Sequence, residues 1–321
     1  MSSSPSFDAF CAYESCSQQG IILCNCNNAP EYDTQRPPAS IPAWCYDHCG
    51  TAMLHVLQSP HYAECMVRRD RKLISAIGTA IKRWYLTYAE SLINLLVHNV
   101  TTTCGTINVS CTRKALGEVC ALPSNLEEWE KEAVLAFDQS DLSLALTREI
   151  LRLFEGDVSP IKDVKVLSAE SPETPLKTVL HLPNNTTFRN DNMGHVMWVI
   201  QTKADEKWVL ELTGAQYGIR GVTFPRNYFL WKVCITEHFA ERPAEKEWEC
   251  LVEAASDGDK LRAFHRDAGR HFFEIVKAYL KEHPEFVYLE NGAFEHSLLD
   301  STARVRHGMA QFVANRYGTN A

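Results

Sequence analysis

Residues 194–218 read GHVMWVIQTKADEKWVLELTGAQYG, and the class of the fold turns on them. His195 to Thr202 and Trp208 to Leu212 are two runs rich in Val, Ile and Trp. Ala204 and Asp205 sit in the short polar stretch between them, so the two runs read as the arms of an antiparallel hairpin. Val164 to Leu167, Thr178 to Leu182 and Tyr228 to Ile235 have the same character and extend the strand region over 164–238.

On either side the period lengthens. From Asp70 to Val97 the apolar residues Leu73, Ile74, Ile77, Ile81, Trp84, Tyr85, Tyr88, Leu92 and Leu95 recur at three and four, which marks one long amphipathic helix. Glu127 to Phe137 and Leu142 to Phe154 read as helices, the first capped by Ser124, the second by Ser140 or Asp141 and stopped at Gly156. The end of the chain, 246–316, is helical again and includes Lys260 to Glu282 ahead of Pro284. Asp257, Gly258 and Asp259 make a capping turn; the wider acidic pattern of a calcium loop is missing. No internal repeat or low-complexity tract interrupts this order.

Composition bounds the function. The 321 residues are 45% hydrophobic, enough for a sizeable core, and 32 basic against 40 acidic side chains leave a net charge of −8. Without a dense Lys/Arg run, a phosphate backbone meets little attraction, so no nucleic-acid partner is expected. Met1 to Phe10 lacks a cationic stretch followed by an apolar core. Even the mostly apolar stretch Leu92 to Val97, broken by Asn94, is far below the ~20 residues of a spanning helix. The expected setting is the cytosol or nucleus, off the membrane, where the Asn-x-Ser/Thr matches at Asn99, Asn108, Asn184 and Asn185 carry no meaning.

Seven of the twelve cysteines lie in the first 65 residues, and the cluster ends in Cys45-x3-Cys49 and His61-x3-Cys65. In a reducing compartment such clustering with a matching His points to metal rather than disulfides. Cys11, Cys16, Cys24, Cys26, Cys45, Cys49, His61 and Cys65 supply eight donors, sufficient for two tetrahedral Zn2+ sites, and His48 and His55 are further imidazoles that can substitute. Closed four-ligand sites are structural, holding a segment too small for its own core. The expected architecture is therefore α+β: a small zinc-stabilised, loop-rich N-terminal module over 1–66, then an α+β body over 67–321. The body has helices in 70–155, including the long linking helix, an antiparallel sheet in 164–238 flanked by helices, and C-terminal helices in 246–316.

The donor order resembles a MYND-type zinc finger, in which two sites interleave. The resemblance implies that Cys11, Cys16, Cys45 and Cys49 hold one zinc, and Cys24, Cys26, His61 and Cys65 the other. Trp44 stands where that family carries an aromatic residue. The run Arg68-Arg69-Asp70-Arg71-Lys72-Leu73 and the stretch Trp208 to Gly218 are similar to uncharacterised fungal proteins with an N-terminal MYND-type finger, a likeness covering roughly residues 11–235. It implies one or two structural zinc ions and a protein partner or short Pro-containing peptide segment.

A second constellation lies in the body. His195 opens one strand and Glu211 falls on the next, so on a hairpin the carboxylate can hold the imidazole in one tautomer. A strand-borne His followed by an acid on the neighbouring strand is similar to the latter part of a papain-like or transglutaminase-like triad. The nucleophile has to come from upstream: Cys111 and Cys120, flanking a helical-looking segment from Thr112 to Val119, or Ser140 at a helix start. Gly214 and Gly218 bracket a tight loop that brings the Gln216 amide near His195, where it can donate to an oxyanion. Two functions are expected from these signals: a zinc-binding interaction protein, or an acyl-transfer enzyme, hydrolase or amide-forming transferase, working through His195 and Glu211.

Overall fold

The computed structural model describes residues 22–23, 29–32, 43–44 and 60–318, apart from 157–158, 171–172, 191–193, 235–237, 257–258 and 290. The fold is α+β, with two sheets rich in antiparallel pairs. The chain divides into two units, Met1–Ser75 and Ala76–Ala321.

In the first unit, β1 (Ile22–Leu23) pairs antiparallel with β2 (Ala43–Trp44). Helix α1 (Pro60–Leu92) begins here. Its Arg68 guanidinium donates to Glu64 one turn back, and Arg71 lies over the Tyr32 ring, 5.9 Å from its centroid.

In the second unit, α1 ends at Leu92, before the Val97 expected from periodicity. The next nine residues, LLVHNVTTT, form β3 (Leu95–Thr103), because β-branched Val and Thr lose less side-chain freedom in a strand than in a helix. β3 pairs with β4 (Thr106–Arg113) through a two-residue turn, with Cys104 at φ 48° and Gly105 at φ 76°. That double positive φ suits the right-handed twist of the paired strands. The segment from Thr112 to Val119, read as helical, is instead the end of β4 and a turn.

Helices α2 (Glu128–Ala136) and α3 (Ser140–Arg152) follow. Glu127, not Ser124, caps α2, in a capping box in which Glu130 reaches back to the Glu127 N–H. Next come β5 (Ile161–Ala169), β6 (Lys177–His181), β7 (Thr187–Arg189), β8 (His195–Thr202), β9 (Lys207–Leu210), β10 (Thr223–Pro225) and β11 (Phe239–Pro243). They do not join one sheet as the sequence suggests. β10-β9-β8-β5-β11 form a wholly antiparallel five-stranded sheet, whereas β6 leaves it and pairs parallel with β4 in the order β3-β4-β6-β7.

Of the run Tyr228 to Ile235, expected as a strand, the described residues belong to a helical turn at Arg226–Tyr228 that widens into a π-turn over Phe229–Val233. Phe229, Leu230 and Cys234 are buried while Trp231 between them is 67% exposed, a helical rather than alternating pattern. The chain closes with α4 (Glu247–Ser256), α5 (Lys260–Glu282) and α6 (Asn291–Tyr317). Asp259 caps α5, accepting from the backbone N–H groups of Leu261 and Arg262. The Trp84 indole of α1 donates to Ser301 Oγ of α6 at 2.9 Å and stacks near Phe286, which ties the two helices inside the core.

The five-stranded sheet is buried on both faces. On one, His195, Met197 and Val199 of β8 lie beside Ala169 and Leu167 of β5 and Val209 of β9, covered by Tyr217, Phe229, Leu230 and Cys234. On the other, Trp198, Ile200, Trp208 and Leu210 are buried, and the Trp198 indole donates to Thr147 Oγ1 of α3 at 3.0 Å.

Candidate functional site: a sealed His–Glu pair

His195 is the first residue of β8, opposite Ala169 of β5. Continuing the β8–β9 register past Trp198 and Leu210 puts His195 across from Thr213. Glu211, two residues earlier, therefore lies diagonally across on the same face. The side chains meet: His195 Nε2 and Glu211 Oε2 are 2.6 Å apart, and both residues are fully buried. The second oxygen, Oε1, accepts from the Thr213 N–H at 2.9 Å, and the Glu211 N–H donates to the Val222 carbonyl at 2.7 Å. One carboxylate oxygen and the Glu211 backbone are thus held before the imidazole is counted, which leaves Oε2 aimed at the ring.

The loop after Glu211 seals the pair. Gly214–Tyr217 is a 3-10 turn in which a Cβ on Gly214 would stand 2.7 Å from Glu211 Cγ, so only glycine lets the backbone approach so closely. The turn brings the Tyr217 ring edge-on to the imidazole, with centroids 4.6 Å apart. Burial, then the Glu211 charge, holds the Tyr217 phenol well above its ordinary value, so it stays protonated.

Gln216 does reach this neighbourhood, but its amide oxygen faces the α2–α3 junction, accepting from the Asp138 N–H at 3.1 Å. Its carbonyl accepts from Thr178 Oγ1 at 2.7 Å and Asn190 Nδ2 at 3.0 Å, which links the turn to β6. Burial, reinforced by Asp141, raises the carboxyl of Asp138 above its usual range against the opposing pull of Arg113. Three buried polar atoms of this region have no hydrogen-bond partner: His195 Nδ1, Thr213 Oγ1 and Gln216 Nε2.

No expected nucleophile meets the free ring nitrogen. Cys111 lies on β4 of the other sheet, buried, with its thiol pushed up chiefly by burial. Cys120 follows the turn after β4, its Sγ 3.8 Å from the Glu118 carbonyl. Ser140 does begin α3, whose Thr147 is held by Trp198 on the sheet face that alternation sets opposite His195. The thiol that shares the His195 face is one that residue spacing did not single out, Cys234. Burial and then the Glu211 charge push it up to about 12, so it is a neutral thiol at pH 7. Its position, 23 residues past Glu211 in a stretch resembling a strand, carried no signal of this proximity.

Of the expected metal ligands, Cys11, Cys16, Cys24, Cys26, Cys45, Cys49 and the side chain of His61 lie outside the described residues. Cys65 is buried on α1, and positions 61 and 65 are one turn apart on that helix. Among the described residues, no group of three or more His, Cys, Asp or Glu side chains is placed to hold a metal ion, and no helix is long and apolar enough to cross a membrane. No family model matches the chain, nor does any curated protein or solved structure.

Proposed function

We propose that the chain is a zinc-binding interaction protein. A MYND-like N-terminal module, stabilised by one or two structural zinc ions, docks a protein partner or short peptide segment, with the α+β body as its scaffold. The observation that carries this reading is the run of seven cysteines ending in Cys45-x3-Cys49 and His61-x3-Cys65. The helical start of α1 supports it, since donors one turn apart on a helix can reach a single ion. The body supports it too: His195 is sealed from solvent, and its Nδ1 meets no thiol or hydroxyl among the described residues. Elemental analysis of purified protein should find one or two zinc ions per chain, and a metal-free folded protein would overturn the reading.

One observation favours a second reading, acyl transfer. The 2.6 Å His195–Glu211 bond has the geometry of a base and the acid that orients it. In this reading His195 is the base, Glu211 its orienter, Cys111, Cys120 or Ser140 the nucleophile, and Gln216 a donor to the oxyanion. Any hydrolase or amide-forming transferase activity should then vanish in His195→Ala, together with fast labelling of one thiol in the native protein. Activity that survives the substitution removes His195 from the mechanism.

A further inference from the structure

Among the described strands of the two larger sheets, four lie at a margin: β10 and β11 in one, β3 and β7 in the other. Three of these are blunted. β7 and β10 have three residues each, and β11, FAERP, has five and ends in Glu241, Arg242 and Pro243. Short length, charge and proline keep an exposed margin from recruiting a further strand. β3 has none of the three. Its nine residues, LLVHNVTTT, include no charge, proline or glycine, and all but Val97 are at least partly exposed. Its bulge, between Val97 and Asn99, leaves Asn99 to Thr103 regular.

The hairpin decides which backbone groups face outward. Thr103 and Thr106 flank the two-residue turn as a hydrogen-bonded pair, and alternation makes Thr101 and Asn108 the next such pair. Val100 and Thr102, at the intervening positions, therefore turn their N–H and C=O groups away from β4. Among the described residues, no backbone hydrogen bond outside the strand ladders involves either one. Charge then selects what can approach. The chain carries −8 and 22% of its residues are charged, yet residues 91–112 contain no Asp, Glu, Lys or Arg. Two copies of an acidic molecule repel over most of their surface, and this strip lets them meet without bringing like charges together.

We propose that β3 pairs antiparallel with β3 of a second copy, so that a two-fold dimer joins the two four-stranded sheets into one. One register uses every outward group beyond the bulge. Val100 of each copy faces Thr102 of the other, each of these pairs exchanges two hydrogen bonds, and Thr101 lies on the two-fold axis. The exposed Thr101 side chains of the two copies then stand opposite each other, on the face that Thr101 shares with Asn108.

Sedimentation velocity on the full chain from about 1 to 100 µM should show reversible dimerisation, of the weak class that so narrow an interface gives. Thr102→Pro removes an N–H that the monomer does not use and should weaken association by about tenfold or more. Thr101→Lys and Thr101→Glu each set like charges opposite one another on the axis, so each alone should be monomeric, and an equimolar mixture of the two should dimerise again. An unmodified chain that stays monomeric at the highest concentration overturns the proposal and leaves this edge to a strand of another protein. A dimer that Thr102→Pro does not weaken overturns it by placing the contact elsewhere, as does a mixture of the charged variants that stays monomeric. Recovery on mixing two variants that fail singly does not arise from a folding defect in either.

Discussion

The two sheets treat histidine in opposite ways. In the four-stranded sheet, His98 and His181 are exposed and bond to neutral neighbours, Thr112 Oγ1 at 2.9 Å and Asn108 Oδ1 at 3.0 Å. In the five-stranded sheet, His195 is fully buried against a carboxylate that is itself held by backbone. The difference follows from burial. β3 runs with most of its side chains toward water, so Thr, Asn and His cost little there; β8 has helix α3 on one face and the Phe229–Cys234 segment on the other. A polar residue inserted into such a strand must bring its own partner. The lesson is that a buried His–acid pair is a demand of the fold before it is a sign of chemistry.

Four measurements break or sharpen that contrast. Glu211→Ala leaves the His195 ring without its partner in a water-free site and should destabilise the protein by about 3–5 kcal/mol in urea titrations. A loss under 1 kcal/mol would mean the pair is not sealed as described.

His265 extends the comparison to an imidazole with no carboxylate of its own. Burial, partly offset by Asp259, lowers its proton affinity to about 4 in the folded state, against an ordinary 6.5. The unfolded chain therefore takes up a proton first on acidification: the stabilising contribution is complete above pH 6.5 and is lost between pH 6.5 and 4, up to about 3 kcal/mol. His265→Gln should flatten that part of the stability profile; an unchanged slope would clear His265 of the effect. Next, Trp198→Phe deletes the indole N–H that reaches Thr147 and should cost about 2 kcal/mol. Last, His98→Ala on the exposed sheet should change stability by no more than about 0.5 kcal/mol, and a larger change would show that sheet to be less tolerant than its exposure implies.

Much of the body was legible in the residues. β8 matches the predicted run from His195 to Thr202 because its Val, Ile and Trp content is unbroken, and α5 matches Lys260 to Glu282 because it keeps one helical period from end to end. The proximity of His195 and Glu211 was legible for the same reason, since a hairpin with two-residue alternation leaves few places for them. The errors have physical causes. Leu92 and Leu95 kept a helical spacing across the real end of α1, so the first residues of β3, Leu95 to Val97, were absorbed into the helix. In Tyr228 to Ile235 the aromatic and β-branched content of a strand hid a helical burial pattern, and with it the placement of Cys234 near Glu211. The sealing contacts of Tyr217, Gly214 and Asp138 depend on tertiary approach, which has no local signature.

The parallel pairing of β4 with β6 constrains how the chain can be made. The β3–β4 hairpin is complete in a nascent polypeptide long before its neighbour exists, because residues 114–176 intervene. At ordinary ribosomal speeds that interval is on the order of 10 s, during which one edge of β4 has its backbone donors and acceptors open to any passing strand. An edge of that kind is a template for a foreign strand, and the later arrival of β6 covers what translation leaves bare.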